Sequence, residues 1–200
     1  MVCGLSIVAP PSPFPNDYTV NVTQVNANWV AIIPYAGGPV GKTDILFNMD
    51  GQWWGETKEG VKESIRLAHN AGLRVMLKPQ IWIPGSWTGA LDFQTEKEWQ
   101  QWEENYTNYI SFHADIACEM EVEMICIGTE FTKSETKREA FWRELIRKIR
   151  IDYKGQLTYA SNWDAYKNVP FWDDLDYIGV DAYFPLDDSK IPSKKRLHKL

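Results

Sequence analysis

The chain has 200 residues and a formal net charge of −6, with 44% hydrophobic and 24% charged residues. That is the composition of a folded globular chain, and it excludes a disordered or fibrous one. The length suits one domain over residues 1–200, and the excess acid argues against nucleic acid or an anionic membrane surface as partner. No apolar run approaches the ~20 residues that a membrane-spanning helix needs. The unusual count is 10 Trp beside 9 Tyr and 8 Phe, more flat amphipathic surface than a core of this size requires.

Strand and helix signals alternate along the chain. Residues 4–9 form an apolar run without a preceding Lys or Arg, broken by Pro10 and Pro11. They fit a first strand better than a signal peptide. A loop over 10–16 and a weak helix over 17–27 follow. The apolar run 29–35 is a strand ending at a Gly-Gly-Pro turn. Val61, Ile65, Ala68 and Ala71 then fall at helical spacing, with Thr57 as N-cap and Gly72 where a C′ glycine belongs. Residues 73–82 are a strand, and 84–93 a Gly/Trp loop.

Thr95 and Glu98 form a capping box. It opens a long helix with Trp99, Trp102, Tyr106, Tyr109, His113 and Ala117 on one stripe, an arrangement that suits core packing better than a ligand box. Residues 124–131 are a strand. Thr136 and Glu139 suggest a second capping box, ahead of an apolar face made by Phe141, Trp142, Leu145, Ile146 and Ile149. Strands over 156–163 and 177–184 flank a short helix at 170–175. The basic tail of Lys194, Lys195, Arg196, His198 and Lys199 reads as a solvated face, with the start of a helix as an option.

Cys3, Cys118 and Cys126 are odd in number and widely spaced, so neither a disulfide framework nor a zinc site is expected. His69, His113 and His198 form no HxH or HExxH pattern, which disfavours a metal-dependent hydrolase; no cofactor is expected. Six strands alternating with helices predict a parallel sheet with right-handed crossovers. A doubly wound fold would carry a Gly-rich phosphate loop after its first strand, and that position holds Ala9-Pro10-Pro11-Ser12-Pro13. A (β/α)8 barrel instead predicts polar and aromatic residues at the C-terminal ends of its strands. Such residues occur at Tyr35, at 78–82, at Glu130, at 162–164 and at 181–183.

Alternation along 124–130 puts Cys126, Gly128 and Glu130 on one face, with Ile125 and Ile127 on the helix side. Glu130 then points into the barrel mouth, where a carboxyl group is hard to explain as packing; the competing role is an ion pair with Lys78. Alternation also turns Gly179, Asp181 and Tyr183 inward, although Asp181 could cap the next loop. Lys78 could form a Schiff base, an alternative with no phosphate or keto-acid site nearby to support it. Trp82, Trp87 and Trp163 sit on loops or strand ends. Rings around a carboxylate suit a sugar, whose C–H faces stack on them while its hydroxyls need polar partners such as Asn162; each ring could equally pack a loop. A carbohydrate-binding barrel without chemistry is the alternative to an enzyme.

Four segments in series carry a likeness to a known family: 28–34 (NWVAIIP), 72–79 (GLRVMLKP), 127–131 (IGTEF) and 177–186 (YIGVDAYFPL). The chain resembles the TIM-barrel retaining glycoside hydrolases, most closely the family 113 β-mannanases. The resemblance implies that Glu130 is the general acid/base, acting on an oligosaccharide or polysaccharide of β-linked mannan type. Many members of the wider clan have Asn before that Glu, whereas this chain has Thr129. It also implies a nucleophilic Glu on a seventh strand and a protein that is often secreted. Barrels of this type typically need about 250 residues. The expectation is therefore an incomplete (β/α)8 barrel of about six βα units, with the nucleophile-bearing strand outside the chain and no retaining hydrolysis by these residues alone.

Overall fold

The computed structural model describes residues 2–187, 193 and 194. The helix suggested for the basic tail lies outside the described residues, apart from Lys194. Among the described residues the strands and α-helices follow one another as β1 (Gly4–Val8), α1 (Thr19–Gln24), β2 (Trp29–Ile33), β3 (Tyr35–Gly37), α2 (Lys58–Asn70), β4 (Arg74–Leu77), β5 (Gln80–Trp82), α3 (Glu96–Glu119), β6 (Met124–Thr129), α4 (Thr132–Lys137), α5 (Glu139–Asp152), β7 (Gln156–Asn162) and β8 (Tyr177–Asp181). Six strands make one parallel sheet in the order β1-β2-β4-β6-β7-β8. Strand order thus follows chain order, as successive βα units require.

Two expected strands are each split by a proline. Pro34 separates β2 from β3, and Pro79 separates β4 from β5. Proline has no N–H to continue the ladder, and beyond it β3 and β5 leave the main sheet to pair with each other in parallel. The carbonyls at the splits keep partners: the Tyr109 hydroxyl donates to Pro34 O at 3.2 Å and to Gln80 O at 3.0 Å. This break turns the β3–β5 ribbon, with Trp82 at its end, away from the sheet.

The helix signals hold where their caps are local. Thr57 Oγ1 accepts from Gly60 N at the start of α2, and Gly72 takes φ +74° just past its end. Thr95 and Glu98 make the reciprocal bonds of a capping box. The second expected box is absent. Thr136 lies inside α4 and its hydroxyl donates to Lys133 O, while α5 starts after Arg138 without a side-chain cap. The reason is that α4 begins four residues earlier than Thr136, directly behind β6. The short helix expected at 170–175 is one 3₁₀ turn, Trp172–Asp174, and β8 ends at Asp181 instead of continuing to 184.

The core lies between the sheet and the helices. Val30, Ile32, Val75, Leu77, Ile125, Ile127, Leu157 and Tyr159 face it from the strands. The aromatic stripe of α3 meets them: Trp102 stacks on Tyr106 at 4.9 Å, and the Tyr106 hydroxyl donates to Ile127 O. Four of the ten Trp residues, Trp29, Trp99, Trp102 and Trp142, are buried. No helix among the described residues is long and apolar enough to cross a membrane.

Candidate active site

The C-terminal ends of the strands carry the polar side chains. Lys78 follows β4, Glu130 follows β6, and Asn162 and Asp181 end β7 and β8 in paired register. Lys78 Nζ lies 3.2 Å from Asp181 Oδ1, both largely buried. Burial works against the Lys78 charge, but the Cys126 sulfur, Asp181 and Glu130 outweigh it and hold the ammonium pKa above its usual value. A Schiff-base lysine needs a free amine at neutral pH, so this environment opposes the carbonyl chemistry considered for Lys78. The side chain instead pairs with Asp181, and its charge bears on Glu130.

Glu130 reaches this group by a route that alternation does not describe. Pairing of β6 with β7 slips between Cys126 and Thr129. At the slip Gly128 turns toward the helices, where a Cβ would stand 2.6 Å from the Tyr159 ring and 2.9 Å from Trp142. Gly128 therefore does not share the inward face expected for it. Glu130 itself has φ +55°, in the left-handed region, and its N–H donates to Ala160 O at 2.8 Å. The bulge and the left-handed residue together aim its carboxyl at the strand ends. Burial raises the Glu130 pKa, the neighbouring Asp181 charge adds to the rise, and Lys78 opposes it. A half-buried carboxyl whose pKa is raised by burial and a neighbouring carboxylate is suited to donate a proton.

A cleft leads away from Glu130. Its inner part, about 200 Å³, is lined by Glu130, Thr129, Thr88, Trp87, Trp82 and Tyr35 among others. Tyr35 and Trp82 also line an outer part of about 700 Å³, which Trp53, Met49 and Glu56 complete. Trp82 is 62% exposed, Trp53 51% and Trp87 45%, so three partly exposed rings line this path. Gln52 Nε2 donates to Tyr35 O at 2.9 Å. Burial lifts the Glu56 pKa, while Gln52 and two backbone N–H groups oppose the lift.

The structure thus gathers Lys78, Trp82, Trp87, Glu130 and Asp181. Trp163 is half-buried against Phe184, with ring centroids 5.9 Å apart. Tyr183 lies beyond β8 and is 81% exposed, because the strand expected to carry it inward has already ended. The other face of β8 carries Ile178, Val180 and Ala182, which alternation would pack on helices; Ile178 and Ala182 are exposed and Val180 is half-buried, since no helix among the described residues covers that side of β8. Sequence reasoning missed Trp53, Gln52 and Glu56. The available signal was the pair Trp53-Trp54 in a polar stretch with neither helical nor strand period.

The profile of glycoside hydrolase family 113 matches residues 16–200. The structure is similar to that of the family 113 β-mannanase of Alicyclobacillus acidocaldarius, solved in complex with ManMIm, at 26% identity, covering 92% of this chain and 61% of that chain with a TM-score of 0.82. Two structures of a family 113 β-1,4-mannanase, one of them a complex, are each 29% identical. They cover 94% of this chain and 65% and 64% of theirs, with TM-scores of 0.80 and 0.82. None of the curated proteins matches. The chain spans less than two thirds of the length of these solved relatives, and its six-stranded sheet is an incomplete (β/α)8 barrel. The chain belongs to glycoside hydrolase family 113.

Proposed function

We propose that these residues form the acid/base side and part of the substrate cleft of a retaining glycoside hydrolase acting on β-1,4-linked mannan or a related β-glycan. The observation that carries this is the placement of Glu130: a carboxyl with a raised pKa, at a strand end, facing a cleft walled by exposed Trp rings. The substrate class comes from the solved relatives, which are β-mannanases. Sugar rings stack on Trp82 and Trp87, and hydroxyls take hydrogen bonds from polar groups such as Asn162 and Lys78. Trp163, Tyr183 and Asp181 complete the proposed contacts.

In the first step Glu130 gives its proton to the glycosidic oxygen as the bond from that oxygen to the anomeric carbon breaks and a second carboxylate bonds to that carbon. In the second step Glu130, now ionised, takes a proton from the water that displaces the enzyme carboxylate. Among the described residues Asp181 acts on Glu130 more strongly than Asp164 does, and the Asp181 charge is committed to Lys78. We therefore assign the nucleophile to a residue outside the described ones.

Glu130→Gln in the intact protein tests the reading. Turnover of mannan oligosaccharides should fall by about 10²- to 10⁴-fold, the usual contribution of a general acid. For an aryl mannoside with a dinitrophenolate leaving group, kcat/KM should hold, because that group departs without a proton. Unchanged turnover of oligosaccharide would remove Glu130 from the role. Binding without cleavage by the unmutated protein would favour a carbohydrate-binding barrel.

A further inference from the structure

Behind the loop that carries Glu130 lies a second carboxyl group with no part in the steps above. Glu135, on α4, is 0% exposed. Its Oε1 accepts from the Tyr159 hydroxyl at 2.7 Å, and the Ser161 hydroxyl lies 3.4 Å from Oε1 and 3.3 Å from Oε2. The Tyr159 oxygen in turn accepts from Phe131 N at 2.8 Å. Glu135 N donates to Phe131 O, also at 2.8 Å. The residue next to Glu130 is thus held at both its N–H and its carbonyl by one closed ring of bonds through Tyr159 and Glu135.

This ring sits where the backbone is least able to hold itself. A Glu at φ +55° is in a region that a side chain with a Cβ disfavours, and it persists only where its surroundings over-determine it. A buried carboxyl is also a costly way to fill space that an apolar side chain would fill freely. Burial raises the Glu135 pKa, and the two hydroxyls that donate to it oppose the rise. With its proton drawn toward Glu135, the Tyr159 hydroxyl turns a lone pair to Phe131 N.

We propose that Glu135 and Tyr159 are a positioning pair that locks the left-handed turn at Glu130 and so aims the acid/base carboxyl at the glycosidic oxygen. Both lie behind the strand and act through the backbone of Phe131. The proposal rests on Glu130 being the acid/base.

The test compares kcat/KM for a mannan oligosaccharide with kcat/KM for a dinitrophenyl mannoside, in the intact protein. Tyr159→Phe should lower the oligosaccharide value by about tenfold to a hundredfold, the range expected when a proton donor is displaced by a fraction of its reach. The dinitrophenyl value should change by less than about twofold, since that substrate needs no acid. Glu135→Leu should show the same contrast. Glu135→Gln keeps an acceptor for Tyr159 and should return the oligosaccharide value to within about threefold. Equal loss on both substrates, or no loss, overturns the proposal. If Tyr159→Phe fails to fold, the Glu135 pair decides: Leu and Gln behaving alike, or Gln failing to fold, overturns it. Glu130→Gln measured alongside separates the two ideas. Loss of the leaving-group contrast there removes the acid/base assignment, whereas contrast at Glu130 without contrast at Tyr159 or Glu135 removes only the positioning pair.

Discussion

Two charged side chains in the strand-end cluster, Asp181 and Lys78, do most after burial to set the chemistry of Glu130. Burial comes first in raising its pKa, the Asp181 carboxylate adds to the rise by charge and by hydrogen bonding, and the Lys78 ammonium opposes both. A general acid works only while protonated, so activity falls on the alkaline side as pH rises through its pKa. Asp181→Asn removes a charge that raises this pKa and leaves the Lys78 charge without its 3.2 Å partner; both changes favour the ionised form of Glu130. The alkaline limb of kcat/KM for an oligosaccharide should therefore move to lower pH in Asp181→Asn. A limb that stays put or moves up would contradict the coupling. Asp181 was open between a loop cap and an inward role in the sequence, because strand spacing fixes a face but not a partner. Its partner, Lys78, lies 103 residues away.

At the level of elements, β6 departs most from its pattern. A strict period of two predicts Gly128 beside Cys126 and Glu130, yet the slip in pairing turns Gly128 onto the rings of Tyr159 and Trp142. Only a residue without a Cβ fits there while the strand keeps its path. Gly128→Ala should cost about 1 to 3 kcal/mol through overpacking against those rings, read as a drop in thermal unfolding temperature. An unchanged unfolding temperature would mean that the rings give way freely. Long elements were legible because many side chains repeat one signal: α3 shows its stripe over 24 residues, and its capping box is local. What escaped were short-range events set by neighbours distant in sequence. The bulge depends on β7, the splits at Pro34 and Pro79 depend on two prolines meeting across strands, and Glu135 sits in the polar run Thr132–Lys137, which resembles a solvated surface. That run is buried at Ser134 and Glu135 because Trp142, Tyr159 and Ser161 reach it.

Across the whole molecule, the alternation of strands and helices predicted the parallel sheet, and the Pro-rich loop after the first strand together with polar strand ends selected the barrel over a doubly wound fold. The excess of Trp divides between two uses: Trp102 and Trp142 fill the core, whereas Trp53, Trp82 and Trp87 stand exposed along the cleft. The sheet ends at β1 and β8, where Val8 and Ile178 are exposed apolar residues, although parallel sheets are normally covered on both faces. The reaction proposed above needs two carboxyl groups about 5 to 5.5 Å apart, one of them free to attack carbon. Glu130 meets one requirement. Asp181 is near it but held by Lys78, which weakens it as a nucleophile. The 200-residue chain by itself should thus fail to cleave mannan oligosaccharides, measured by product release over hours at high protein concentration. Cleavage abolished by Glu130→Gln would show that the 200-residue chain already holds a complete pair. Asp181→Asn would then identify its second member: loss of that cleavage would assign the nucleophile to Asp181, and its survival would assign it elsewhere in the chain.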